Sequence, residues 1–391
     1  MAARLNQKVE RVMEGMVFGA SEGRGDGPAL DPRMQPSADP LVKVWDIASV
    51  EFGRPDLDKA LAFLFDFGLS LDHRDQDTAF LSGRSGYGPC YIVRRTDKPC
   101  FLGIGFVVQT LEELERVAKL PGSSPIEPAY GWDAGKQVRL VDPAGFNVRV
   151  VQGPRSESPA PRRSLVQNLE MPRTRVNTMQ RPPLASANVL RLGHAVLSVV
   201  DFYKSVRWYM DIFGFLPSDV QTIGDGEPAL VFMRCDRGHT PADHHTLVLV
   251  QNVVNQYGHS AYECLDLDDI AMGQEHLLSK GWKHAWGIGR HLLGSQIFDY
   301  WRDPWGDKVE HFADSDMLTA DHPADISPLT TGGLYQWGPP VPSDFEAPKL
   351  TPAFLWKAIL NVRRSDEMTF PRMQRLLKAI GGSPRPWLGK H

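Results

Sequence analysis

Cysteine is scarce in this sequence. Only Cys90, Cys100, Cys235 and Cys264 occur in 391 residues, and no two form a C-x-x-C pair. That excludes a disulfide framework and the common thiolate metal motifs, and it suggests a reducing, cytoplasmic compartment. Long hydrophobic runs are missing too. None approaches the ~20 residues that span a bilayer, and the opening stretch MAARLNQKVERVMEGM carries charges throughout, with no apolar segment of a signal peptide. No basic run stands out and the net charge is −4, so neither nucleic acid nor a membrane is expected as a partner. What remains is an ordinary balance, 42% hydrophobic and 23% charged residues, typical of a globular chain long enough for two or more domains.

The chain repeats itself coarsely. VKVWDIASVEF reads as a strand, DLDKALAFLFDFGL as an amphipathic helix, and TAFLSG, CYIVRR and FLGIGFVV as strands. The helix TLEELERVAKL and the strands QVRLVDP and FNVRVVQ close the first half. RLGHAVLSVV, the helix DFYKSVRWYMDIFGF, PALVFMRC, HHTLVLVQ, HSAYECLDL, the helix DDIAMGQEHLLSKG, QIFDYWRDP and DKVEHFAD then repeat that order. The expected fold is α+β, with four βαβββ modules forming two tandem domains and a C-terminal tail. The expected boundaries are an N-terminal extension over 1–40 with a short helical start, a first domain over 41–152, a Pro/Ser/Arg-rich linker over 153–188, a second domain over 189–315 and a tail over 316–391. Aromatics and prolines from Gly332 onward suit a lid, followed by helices.

Superposing the halves isolates three positions. Lys59 pairs with Lys204, Leu114 with Ile270, and the Asp-Pro turns at Asp142 and Asp303 with each other. His194 then stands opposite Ser49, His259 opposite Gly103, and Glu310 opposite Arg149. Any one of the three would ordinarily be a satisfied core or edge residue. Two imidazoles and a carboxylate on three strands of one half, replaced together in the other, form a facial set of metal ligands with open positions, suited to Fe(II) and able to hold Zn(II) or Mn(II).

YWRDPWGDKVE (Tyr300 to Glu310), the upstream histidine strand and GRH (Gly289 to His291) resemble the signature of type I extradiol ring-cleavage dioxygenases, members of the vicinal-oxygen-chelate superfamily. The resemblance covers about residues 40–315 and is stronger in the second half. It implies tandem vicinal-oxygen-chelate domains, the first metal-free. It implies Fe(2+), with Mn(2+) as an alternative, held by His194, His259 and Glu310. His245 in DHHTLVLV resembles the acid/base residue, and Tyr300 and His291 resemble residues beside the substrate hydroxyls. The implied reaction is extradiol cleavage of a catechol by O2 in aromatic catabolism, by a homo-oligomer.

Three other readings share the scaffold: a 4-hydroxyphenylpyruvate-type 2-oxo acid oxygenase, a glyoxalase-like isomerase or lyase, and a non-catalytic binder of aromatic ligands. On a regular strand His244 should point away from His245. His239, His276, His284 and His311 show no partner logic; His276 should be exposed on its helix, and His311 should face away from Glu310. Arg290 and Arg302 are candidates for a substrate carboxylate, and Trp286, Trp301 and Trp305 for a second ring.

Overall fold

The computed structural model describes residues 29–345 and 351–380, apart from Asp133, Pro154, residues 157–167 and 169–172, Thr174, Pro182 and Asp225. The helical start of the N-terminal extension and much of the expected linker lie outside the described residues. Four modules follow one another. The first comprises β1 (Asp46–Arg54), α1 (Leu57–Phe67), β2 (Ser70–Arg74), β3 (Thr78–Ser82) and β4 (Tyr91–Arg95), and the second β5 (Cys100–Val107), α2 (Leu111–Ala118), β6 (Glu127–Pro128), β7 (Lys136–Val141) and β8 (Asn147–Gln152). The third comprises β9 (Arg191–Val199), α3 (Phe202–Phe213), β10 (Leu216–Ile223), β11 (Glu227–Arg234) and β12 (Leu247–Gln251). The fourth comprises β13 (Gln256–Glu263), α4 (Leu267–Ser279), β14 (Lys283–Arg290), β15 (Ile297–Arg302) and β16 (Lys308–Ala313).

Each pair of modules makes one sheet, in the order β2-β3-β4-β1-β5-β8-β7-β6 and β14-β15-β16-β13-β9-β12-β11-β10. The tail strand β17 (Asp325–Pro328) extends the second sheet beyond β10. The first strands of paired modules run antiparallel at the centre of each sheet, β1 against β5 and β9 against β13. Four strands escape a reading of apolar alternation. Every residue of β2 is exposed, β6 is two residues long, β10 carries Pro217 among polar residues, and β14 carries two glycines. Pairing with a neighbouring strand holds these segments, so their own pattern reveals little. No helix among the described residues is long and apolar enough to cross a membrane.

The halves grip each other through the two Asp-Pro turns. Asp142 accepts from the backbone N–H groups of Ala144 (3.0 Å) and Phe146 (2.8 Å), which shapes its own turn, and from the Tyr209 hydroxyl on α3 (2.9 Å). Asp303 repeats the pattern. It accepts from the N–H groups of Trp305 and Asp307, and its other oxygen lies 2.8 Å from Arg54, a buried residue on β1. Rings fill the space between the sheets, with Phe52 edge-on to Tyr257 at 5.0 Å and Phe67 edge-on to Tyr262 at 5.4 Å. His311 stacks on Phe67 at 3.9 Å and bonds its carbonyl through Nε2 (2.7 Å), on the side away from Glu310. His276 is not an exposed surface residue. It is half-buried between α4 and α1, 3.0 Å from Asp66 of the first half. The tail reaches back as well. Asp201 makes no side-chain cap for α3, and Glu367, ahead of α5 (Phe370–Ile380), accepts from the N–H groups of Tyr203 (2.7 Å) and Lys204 (3.0 Å) in its place.

Burial pushes the Asp142 carboxyl up to about 6, against the hydrogen bonds that lower it. Its unfolded value is about 3.9. The native state therefore holds a proton over that interval that the unfolded chain releases. The associated stability is full below the unfolded value and is lost as pH rises through the folded one. The difference in unfolding free energy between wild type and Asp142→Asn should shrink in denaturant titrations between about pH 4 and about pH 6; a constant difference would mean that Asp142 is ionised throughout.

Candidate metal centre

The second sheet brings three of the singled-out side chains together. In β9, His194 pairs with Ala261 of β13, which in turn pairs with Glu310 of β16. His259 lies two residues before Ala261, so its side chain emerges on the same face. Ala261, the residue between His194 and Glu310, projects only a methyl group, which leaves the space in front of it to the longer side chains. One donor atom from each of His194, His259 and Glu310 lies within 4.8 Å of the others. Glu310 Oε2 is 3.2 Å from His259 Nε2 and 3.5 Å from His194 Nε2. Adjacent donors around an octahedral ion with bonds of about 2.1 Å stand about 3 Å apart, so only a small contraction is needed to close on a metal.

The electrostatics demand a cation there. Glu310 is fully buried, and neither of its oxygens accepts a hydrogen bond of good geometry; His194 Nδ1 is also without a partner. An uncompensated buried carboxylate is costly. Burial alone would raise the Glu310 carboxyl, but the imidazoles of His194 and His259 hold it well below the ordinary range. Burial pushes His259 down, against the raising effect of Glu310.

His245 and its neighbour depart from the expected alternation. Both precede β12 rather than lying in it, and both are buried. The bend at this point turns the two rings toward each other. His244 Nδ1 is 3.0 Å from His245 Nδ1, and His244 Nε2 is 2.7 Å from Asp219 Oδ2 on β10. A carboxylate only accepts. The chain therefore reads His244 Nε2–H to Asp219, His245 Nδ1–H to His244 Nδ1, and a lone pair left on His245 Nε2. Burial, then the nearby His194 and His244, depresses His245 well below the ordinary histidine value. Its ring lies 4.0 Å from that of His194 and 5.0 Å from Phe232. Asp219 was invisible in the sequence because β10 has no alternating pattern.

Tyr300 and His291 occupy the other flank. Tyr300 pairs with Glu310 across β15 and β16, its ring 5.1 Å from His259. His291 Nε2 is 2.9 Å from the Tyr300 hydroxyl and 3.5 Å from Glu310 Oε1. The strap over 329–345 fixes that imidazole, because the Leu334 carbonyl accepts from Nδ1–H at 2.6 Å. Nε2 is then the acceptor for the tyrosine hydroxyl. The strap is pinned beyond that contact: Trp286 Nε1 donates to the Pro339 carbonyl (2.9 Å), and Phe345 stands edge-on to Tyr300 at 5.0 Å.

Other expectations are corrected. Arg290 pairs with Asp314 at 2.8 Å and bonds the Ser295 carbonyl, and Arg302 donates to the Asp344 carbonyl at 2.8 Å; both guanidinium groups hold the protein together. Trp301 is fully buried and donates to Asp299, which also holds His284 at 2.7 Å, the partner the sequence did not reveal. Trp305 packs near Arg54 of the first half. Of the three tryptophans, Trp286 borders the centre, stacked 5.7 Å from Tyr300.

In the first sheet the register runs Ser49 to Gly105 to Arg149, the counterpart of His194, Ala261 and Glu310. Arg149 donates to Ser49 Oγ at 2.5 Å. A guanidinium occupies the position that the Glu310 carboxylate holds in the second sheet.

The chain matches the model of the glyoxalase/bleomycin resistance protein/dioxygenase superfamily over residues 191–311. It is 27% identical over 317 residues to metapyrocatechase 2 of Cupriavidus necator, covering 79% of this chain and 94% of that relative. The chain is similar to the extradiol dioxygenases of that superfamily. Homoprotocatechuate 2,3-dioxygenase from Arthrobacter globiformis superposes with a TM-score of 0.65 at 18% identity, over 81% of this chain and 95% of that one. A Mn(II)-bound glyoxalase from Novosphingobium aromaticivorans superposes with a TM-score of 0.64 at 22% identity, over 79% and 96%. Both likenesses concern the fold.

Loading with Fe(II) should raise the thermal midpoint of the wild type, because the ion removes the uncompensated charge of Glu310. Glu310→Gln is nearly isosteric and uncharged, and should show no such rise and bind iron at least ~100-fold more weakly. Calorimetry with metal analysis reads both, and an equal rise in the variant would separate Glu310 from the metal.

Proposed function

We infer that the protein cleaves a catechol-type ring beside its two hydroxylated carbons, incorporating both atoms of O2, with a non-haem Fe(II) cofactor. The observation that carries the site assignment is the fully buried, donorless Glu310 carboxylate between two imidazoles, with His245 alongside. Mn(II) suits the same donors, and the Novosphingobium aromaticivorans protein of this fold is Mn(II)-bound. The Fe(II) ion supplies open positions where catechol and dioxygen can be held side by side.

The chain's own residues do the rest. His245, neutral and with a lone pair on Nε2, accepts a proton from a substrate hydroxyl and returns it as the ring opens. Asp219 acts through His244 to hold that tautomer. Tyr300 and His291 form a hydrogen-bonded pair on the opposite flank, where a tyrosine hydroxyl stabilises a developing oxyanion. The strap over 329–345 acts as a lid, with Phe345 and Trp286 excluding water from the reacting ring. Aromatic catabolism in the cytoplasm is the setting this chemistry suits. The acid/base histidine favours this reading over a 2-oxo acid oxygenase, and the complete ligand set favours it over a binder without turnover.

Anaerobically iron-loaded protein given a panel of catechols under air should consume one O2 per catechol lost and form a yellow product. Turnover of a 2-oxo acid with every catechol inert would transfer the protein to the rival oxygenase class. His245→Phe should keep its iron yet slow cleavage by about 10²-fold or more, the scale of an acid/base group. Asp219→Asn should also keep iron, lose a smaller factor, and shift the pH profile of kcat. Unchanged turnover in His245→Phe would remove that residue from the mechanism.

A further inference from the structure

The first domain carries no metal ligands at the counterpart positions, yet its sheet lines an open cavity of about 900 Å³ beside Gly103 and Arg149. Arg149 forms part of its lining and is 4% exposed. Its guanidinium donates to Ser49 Oγ and the Tyr130 carbonyl, but Nε is buried without a hydrogen-bond partner. Glu51, the nearest carboxylate, lies 3.8 Å from Nε and is already shared with Arg94 at 3.5 Å and with the Tyr130 hydroxyl. The remaining charges on the wall are Arg139 and Glu127, paired at 2.6 Å. Three guanidinium groups thus face two carboxylates, and one positive charge is left over.

The walls are not those of a simple anion hole. The Tyr130 ring lies between the guanidinium groups of Arg94 (4.6 Å) and Arg149 (4.5 Å), and Leu102, Ile104, Leu140 and Val141 give the cavity an apolar side. Gly103 is part of the lining, and a Cβ there would meet the Asn147 carbonyl oxygen of the neighbouring strand at 2.6 Å. We propose that this metal-free cavity is a binding site for a small organic carboxylate with an apolar or planar body. The carboxylate is received by the Arg149 Nε edge, with Arg94 nearby. The body lies against the aliphatic wall of Leu102, Ile104, Leu140 and Val141. An uncharged ring offers the leftover cation no charge-assisted hydrogen bond, so the site favours a carboxylate and is distinct in chemistry from the metal centre.

Benzoate is the probe, titrated calorimetrically into the iron-loaded holoenzyme without O2. One benzoate should bind per chain, and removing the iron should leave that binding in place. Arg149→Met should weaken it at least 10-fold with iron content unchanged. Arg149 is buried, so Val141→Glu is the second variant; Val141 is 56% exposed on the rim, and a carboxylate there should also weaken benzoate at least 10-fold without unfolding the domain. Wild-type affinity in both variants, benzoate lost on iron removal, or no binding at all would overturn the proposal. The titration involves no turnover, so it stands or falls separately from ring cleavage.

Discussion

A carboxylate with no hydrogen-bond donor sits at zero exposure in the middle of the second sheet. Everything around Glu310 follows from that constraint. A buried charge of this kind calls for a compensating cation, and the residues that approach it are imidazoles, a side chain suited to metal coordination. The tolerance is narrow: β9, β13 and β16 must keep their register, because a slip of one residue would send His194 or Glu310 to the opposite face. The small side chain of Ala261 between them in the register is part of the same requirement.

The register is secured from outside the sheet. Arg54 on the first sheet holds Asp303, which shapes the turn between β15 and β16, the strands that carry Tyr300 and Glu310. Tyr209 on α3 holds Asp142 in the reciprocal place. The first half is therefore a structural partner of the half that carries Glu310 as well as its duplicate. The strap closes the other side. Its Leu334 carbonyl selects the tautomer of His291, so a backbone group of the tail sets the hydrogen bonding of Tyr300 beside the centre.

How much of this was legible depended on periodicity. The modules could be read because their central strands and helices bury one face, and because the Asp-Pro turns mark the repeat. His194, His259 and Glu310 could be singled out because the duplicated frame supplied an internal comparison with Ser49, Gly103 and Arg149. His244 was misread, because a regular strand was assumed where the chain bends ahead of β12. Asp219 left no signal, and although Trp286 and the tail from Gly332 were singled out, their partners were not, since these arise from pairings between segments far apart in sequence. The same holds for Arg290 and Arg302, whose partners come from later segments and the tail.

The central claim is that a single cation belongs between His194, His259 and Glu310, and that the counterpart in the first domain excludes one. Anomalous diffraction at the iron edge from crystals of the anaerobically loaded protein tests it most directly. The account requires one peak per chain, within bonding distance of the two imidazole Nε2 atoms and Glu310 Oε2, and no density between Ser49, Gly103 and Arg149. A peak at that second place, or none beside Glu310, would contradict it.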